Sequence, residues 1–290
     1  MANNVVLAKN YADLLDEVYK NASVTADLTG DNGMVRAGAN AREILYPQID
    51  VSGLGDYDRS SGYTSGAVNL VWKTAEFNYD RGTKLSVDTM DDQETFNIAF
   101  GKAGATLQRE KVAPEADAFT FATLAGKTGI SMAVPDTYAD AVAFLDALLV
   151  AKNKMDEDEV PESERMLYAT PTLINSLLAL ESFKSKEVVN SFSVVKKVPQ
   201  SRFYTSIELL DGKSTGEELG HYKKADTGKD INFMIIHKPA LIKFDKHVTG
   251  NVIDPANNAN ADSYILKYRK YGIVDVYANK TAGIYLSHKA

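Results

Sequence analysis

The stretch YDRSSGYTSGAVNLVWKTAEFNYDRGTKLSVDTMDD, residues 57–92, constrains this chain more than any other part of it. Its β-branched and aromatic residues fall in two runs, Ala67–Tyr79 and Thr83–Thr89, and Asp80, Arg81 and Gly82 between them have the chemistry of a turn. The pattern predicts a long β-hairpin with too few apolar side chains to enclose a core of its own. Two strands alone are marginal in water, so Trp72, Phe77, Tyr79 and Leu85 must lie against something. Periodicity leaves two supports open: the rest of the same chain, as for an ordinary sheet edge, or a neighbouring copy.

The remaining sequence is that of a globular protein. With 290 residues, 44% of them hydrophobic, it can bury a substantial core in one large or two intergrown domains. Cysteine is absent, which removes disulfides, thiolate metal sites and a cysteine nucleophile. A net charge of -7 without a basic arm argues against a protein that grips nucleic acid by neutralising phosphates. The opening MANNVVLAKNYADLL lacks the basic and apolar regions of a secretory signal, and no run approaches the roughly 18 apolar residues of a membrane span. A soluble protein made in the cytoplasm, with no membrane partner, is expected.

Local patterns supply the other elements. NYADLLDEVYK, from Asn10 to Lys20, is a short amphipathic helix, and residues 21–42 read as an extended arm rather than a packed element. EILYPQIDV is a strand broken by Pro47. DTMDDQETFNIAFGKAGATLQREK is a long helix: Asp88, Asp91, Asp92 and Glu94 open it, Gln108, Arg109 and Lys111 close it, and Phe96, Phe100, Ala103 and Leu107 form its stripe. Pro114 restarts a second helix that ends at Gly126, and a third runs from Thr137 to Lys152 with Val142, Leu145, Leu148 and Leu149 on its buried face. MDEDEVPESE is a solvated loop. RMLYA is a buried strand, Thr170 an N-cap and Pro171 the first residue of a helix over TLINSLLALESF. SFSVVKKVPQSRFYT is a strand entering a bend, residues 211–230 are a polar insertion, and Ile231–Ile236 is a strand apolar enough to be covered on both faces. The C-terminal stretch reads as a short helix followed by two strands around an Asn279–Gly283 turn. Strands and helices interleave without a βαβ rhythm, which gives an α+β class.

Reactive chemistry finds little support. The four histidines, His221, His237, His247 and His288, are dispersed and stand in no zinc spacing. The acids at the head of the long helix are explained by the helix dipole rather than by a metal or acid–base pair. GKST at Gly212 lacks the upstream glycine and buried strand of a phosphate loop. The fifteen tyrosines are scattered rather than interleaved with Arg and Lys. No catalytic, cofactor-binding or metal-binding residue is assigned, no cofactor is called for, and the expected class is not an enzyme.

The order of parts carries a resemblance. An N-terminal arm, a hairpin, VDTMDDQETFNIAF, REKVAPEADAFTFATLAG, RMLYATPTLINSLL, INFMIIHKPALI and a closing TAGIYLSHK together resemble the major capsid proteins of tailed bacteriophages, with the Hong Kong 97-like fold, over essentially the whole chain. The resemblance implies an N-arm at 1–45, an extended loop at 46–90, a peripheral domain with its spine helix at 91–130, an axial domain at 131–235, and closing elements shared by both domains at 236–290. It implies a head protein that assembles into pentamers and hexamers of an icosahedral shell, is found in the virion and is assembled in the host cytoplasm. Its implied partners are other copies of itself, a scaffolding protein, a portal protein and packaged double-stranded DNA in weak, non-specific contact. In that family the extended loop lies across the adjacent subunit. Arg59, Trp72, Lys73, Phe77, Tyr79, Arg81, Lys84 and Leu85 are then expected to be inter-subunit contacts. Two rival readings are an encapsulin-type compartment with the same fold and an unrelated α+β enzyme.

Overall fold

A computed structural model describes residues 22–30, 36–37, 42–94, 98–180 and 182–290; the helix expected at Asn10–Lys20 and the Phe96 position of the long helix lie outside them. Strands and helices are numbered along the chain. The body is built on a five-stranded mixed sheet ordered β5 (Ser131–Met132), β13 (Ile284–His288), β10 (Ile231–His237), β6 (Arg165–Ala169), β7 (Val194–Lys197). β10 is antiparallel to both neighbours, while the outer pairs β5–β13 and β6–β7 are parallel. Every residue of β10 and β6 is buried, as their unbroken apolar sequences require of strands covered on both faces.

Alternate residues of these strands feed two cores. Met166, Tyr168, Met234, Ile236, Ile284 and Leu286 face a core closed by Phe121 and Leu124 of helix α3 (Ala113–Ala125), by Phe203 and by Leu28. Leu167, Phe233, Ile235 and Tyr285 face the other, closed by helices α4 (Ala141–Glu157), α5 (Pro171–Ala179) and α6 (Phe183–Asn190). α4 starts at Asp140, whose carboxylate accepts from Ala143 N (2.8 Å), rather than at Thr137. Its buried stripe is Phe144, Leu145, Leu148, Ala151 and Met155, so the expected Val142 is exposed and the helix continues into the supposed acidic loop. α6 was not expected. Ser182 caps it by accepting from Ser185 N (3.1 Å), a local signal in the sequence SFKSK.

The expected long helix is described as α1 (Thr89–Glu94) and, from Ile98 on, as α2 (Ile98–Leu107), which passes through a wider π turn over Gln108–Val112 into α3. Pro114 does not end the helix. It stands in the first turn of α3, where the π turn before it absorbs the hydrogen bond a proline cannot donate.

The second sheet corrects the hairpin. β4 (Tyr79–Asp88) pairs along its whole length with β12 (Ser263–Val276), which pairs on its other side with β11 (Leu241–Ile253). Asp80, Arg81 and Gly82 are therefore strand residues opposite Tyr271, Lys270 and Arg269, not a turn. Cross-strand partners outweigh turn chemistry here: Asp80 takes two hydrogen bonds from Arg269 (2.9 and 2.7 Å), and Gly82 leaves room for the Tyr268 carbonyl, which a Cβ would approach to 2.9 Å. The short C-terminal helix is likewise absent, because Tyr264–Tyr271 is held as strand by ladders on both sides.

The actual hairpin lies upstream. β2 (Glu43–Val51) pairs antiparallel with β3 (Val68–Glu76), and β1 (Arg36–Ala37) adds two residues against Ile44 and Leu45. Pro47 does not break β2. Among the described residues β1 pairs only with Ile44 and Leu45, and Pro47 is tolerated because β2 has a sheet neighbour along its length on one side only, β3. Residues 22–30 are also not an extended arm. They form a packed turn, with Ala26–Leu28 as a 3-10 helix and Leu28 buried in the core.

Candidate assembly interface

The base of the β2–β3 hairpin is fixed to the body. Ile44, Tyr46 and Ala75 pack against Ile242 and Ile273 of the second sheet, joined by Phe77 and Phe244. Phe77 stacks on Tyr271 with ring centroids 4.8 Å apart. Asn78 then acts as a backbone substitute: its amide nitrogen donates to Val274 O (2.8 Å) and its amide oxygen accepts from Val274 N (3.1 Å).

Beyond this base no core cluster of the described residues extends over the hairpin. Residues directly opposite in an antiparallel pair share a face, and the register brings Pro47 opposite Trp72, Ile49 opposite Leu70 and Val51 opposite Val68. One face is thus an apolar ladder. Ile49, Val51, Val68 and Leu70 are all at least half exposed. The other face carries Gln48, Asp50 and Asn69. Nine residues per strand at about 3.3 Å each give a ribbon of about 30 Å.

The tip, residues 52–67, is ordered by small polar contacts. Ser52 Oγ bonds the main chain of Ala67, Asp58 bridges to Gly62, and Asp58 Oδ1 accepts from Ser60 N (2.8 Å) and Ser60 Oγ (2.7 Å), which holds its carboxyl below the usual range. Tyr57 and Tyr63 meet edge to face at 4.9 Å. Leu54 and Tyr63 are exposed at 107% and 90%.

A second feature stands where β4 leaves the base. Glu115 of α3, 7% exposed, accepts from Arg81 Nε (2.7 Å) and the Tyr79 hydroxyl (3.2 Å), with His221 Nδ1 at 3.6 Å. Burial pushes the Glu115 carboxyl up, but His221, Arg81 and Tyr79 together outweigh it and hold the group below its ordinary value. Arg81 also donates to the carbonyls of Leu210 (2.8 Å) and His221 (3.2 Å), fastening the 211–221 loop to β4. Between them lies a cleft of about 450 Å³, walled by Leu85, Leu107, Val112, Leu219 and Tyr268 and edged by Lys84, Lys111 and Lys213. Two of the GKST amides in this loop, Lys213 N and Ser214 N, are already occupied. Asp211 accepts from Lys213 N, Ser214 N and Ser214 Oγ, which holds its carboxyl at about 2 and takes the donors a phosphate would need.

The eight expected contact residues therefore separate into three groups. Arg59, Trp72 and Lys73 are on the exposed hairpin. Phe77, Tyr79 and Arg81 are engaged within their own chain, Tyr79 against Phe119 at 5.0 Å. Lys84 and Leu85 line the cleft. Sequence reasoning missed Ile49, Val51, Leu54, Tyr57, Tyr63, Val68 and Leu70. For Ile49 and Val51 the signal was the apolar period of two in EILYPQIDV, visible once Pro47 is allowed inside a strand, and for Val68 and Leu70 the same period in VNLVW; Leu54, Tyr57 and Tyr63 carried no such signal.

No family model matches the sequence, and no curated protein matches it. Solved structures do match the fold. A structure from Mycobacterium phage Che8 aligns at 14% identity and a TM-score of 0.59, covering 91% of this chain and 90% of that one. The mature capsid of bacteriophage PhiM1 aligns at 14% identity and a TM-score of 0.58, covering 86% and 82%. A virus-like particle from Pyrococcus furiosus aligns at 9% identity and a TM-score of 0.59, covering 97% and 99%. With its hairpin, long helical segment and mixed central sheet, the chain has the α+β, Hong Kong 97-like capsid fold that its sequence resembles.

Proposed function

We propose that this chain is a shell-forming structural protein, the major capsid protein of a tailed phage, assembling through pentamers and hexamers around double-stranded DNA. The observation that carries this reading is the hairpin: its base is built into the body, while Ile49, Val51, Val68 and Leu70 of its ladder and Leu54 and Tyr63 of its tip are exposed among the described residues. A second copy supplies their cover in a heterologous contact, which closes into rings. Arg59, Trp72 and Lys73 are the contacts on the donating side. The extended loop then corresponds to residues 43–76. β4, β11, β12 and α1–α3 make up the peripheral part, and the five-stranded sheet with α4–α6 the axial part. A net charge of -7 suits an inner surface that lets packaged DNA slide. Scaffolding and portal proteins are the partners expected during assembly in the host cytoplasm.

Negative-stain microscopy and size-exclusion chromatography of the purified chain test this. Capsomers or closed shells are expected, with the scaffolding protein if need be, and removal of residues 52–67 should leave a folded but non-assembling protein. A full chain that stays monomeric under all these conditions overturns the reading. The alignment with the Pyrococcus furiosus particle favours a second one, a compartment shell that encloses protein cargo. Closed particles formed from this chain alone, free of DNA and of a portal, would decide for it.

A further inference from the structure

The hairpin tip and the cleft beside Glu115 are complementary, and neither can satisfy the other within one chain. The tip region presents Asp50, Asp56 and Asp58 against a single Arg59, together with the fully exposed Leu54. The cleft presents the reverse: apolar walls from Leu85, Val112 and Leu219, and a rim of Lys84, Lys111 and Lys213, none of which has a carboxylate partner among the described residues. Carboxylates near the rim are already committed. Glu115 is held by Arg81, Asp211 by Ser214, and Glu218 by Gly216 N at 3.0 Å. Asp211 and Glu218 bond neutral donors and keep their charge, so with Glu115 balanced by Arg81 the three lysines leave the cleft entrance one positive charge in excess. No tip residue lines the cleft of its own chain, and the ribbon of about 30 Å carries the tip away from the base that the cleft adjoins.

We infer that the cleft between β4, the π turn and the 211–221 loop receives the hairpin tip of a second copy, with Leu54 entering between Leu219 and Leu85 while Asp56 and Asp58 meet the lysine rim. This rests on the shell reading and adds the receiving surface to it. It gives Lys84 and Leu85 a place on the acceptor side of the contact. It also explains why the 211–221 loop is pinned: Arg81 and Glu115 fix one wall of the socket before the tip arrives, so little ordering remains to be done on docking.

The absence of native cysteine makes the test direct. The double variant Leu54→Cys, Leu219→Cys is assembled and oxidised, then run on a non-reducing gel. A ladder of covalently linked copies that reductant collapses is expected. A control pair, Leu54→Cys with Phe183→Cys on the exposed face of α6, should stay monomeric. Charge reversal supplies a second readout: Lys84→Glu with Lys213→Glu should slow assembly about tenfold or more, and Asp56→Lys with Asp58→Lys in the same chain should restore it. Particles that form but give no ladder, or a ladder as strong in the control pair, overturn the socket and leave the shell reading intact. Failure of the parent chain to assemble overturns both.

Discussion

Thr25 donates through its main-chain amide (3.0 Å) and its hydroxyl (2.7 Å) to one and the same oxygen of Asp117, 92 residues away in the sequence. Ser23 Oγ joins at that oxygen, Val24 N and Arg202 Nη1 bond the other, and Asp117 is wholly buried. The carboxylate thus anchors the N-terminal segment to α3. Asp117→Ala leaves these donors and the Arg202 charge unpaired, and should cost about 3–5 kcal/mol in urea unfolding. Limited proteolysis should then cut at residues 22–30 well before the body. Protection equal to that of the parent protein would contradict the anchoring role.

Glu115 gives acid sensitivity a defined sign. Its carboxyl is held below its ordinary value in the fold by His221, Arg81 and Tyr79 against the opposing effect of burial, so its stabilisation is fully present above the unfolded-chain pKa of about 4.3 and is lost as pH falls below it. Glu115→Gln should flatten the acid limb of a stability-against-pH curve and cost about 1–3 kcal/mol at neutral pH. Parallel acid limbs in the two proteins would rule out the linkage.

Lys243 works in the opposite range. It is buried, donates to the carbonyl and hydroxyl of Thr25 (both 2.7 Å), and burial brings its ammonium down to about 7; Asp117, Asp245 and Asp27 oppose that shift, while Lys270 adds to it. Between that pH and the ordinary lysine value near 10.4, the unfolded chain binds more protons than the folded one, and stability rises with pH. In Lys243→Met the rise between pH 7 and 10 should be smaller, as read by denaturant midpoints. An unchanged slope would remove Lys243 as its source.

Much of this was legible. Ile231–Ile236 and RMLYA were read correctly as buried strands because an unbroken apolar run has few other uses, and Thr170-Pro171 marked the start of α5. The pairing of β3 was not legible, since Asp80, Arg81 and Gly82 have turn chemistry locally and become strand only through Arg269, Glu115 and the Tyr268 carbonyl, residues far away in the chain. The same long-range dependence hid the strand at Tyr264–Tyr271. For the interface, the hairpin's lack of a core was visible, but which hairpin it was depended on β4 being claimed by β12.

Gly272 marks the bulge at which β11 inserts an extra residue opposite β12, between Asp245 and His247. A Cβ there would lie 2.5 Å from Asp245 Oδ1 and 3.0 Å from the Phe244 carbonyl. Gly272→Ala should lower stability by about 1–3 kcal/mol through this crowding. A denaturant midpoint equal to that of the parent would show that β11 yields freely.

Exposed hairpin positions should behave differently. Ile49→Ser and Val68→Ser remove apolar ladder residues that touch little, so each should change monomer stability by no more than about 0.5 kcal/mol. Each should nonetheless reduce light scattering during assembly. A stability loss comparable to that of a core substitution would place the ladder against its own body.

The crossing from β3 to β4 takes only Phe77 and Asn78, and β4 then runs into a ladder of ten registered pairs with β12. A pull transmitted down the ribbon enters β4 at Tyr79, and the part of it that acts along the strand falls on all ten pairs. That part is therefore borne in shear, with the bonds of the ladder sharing it at once instead of peeling one by one.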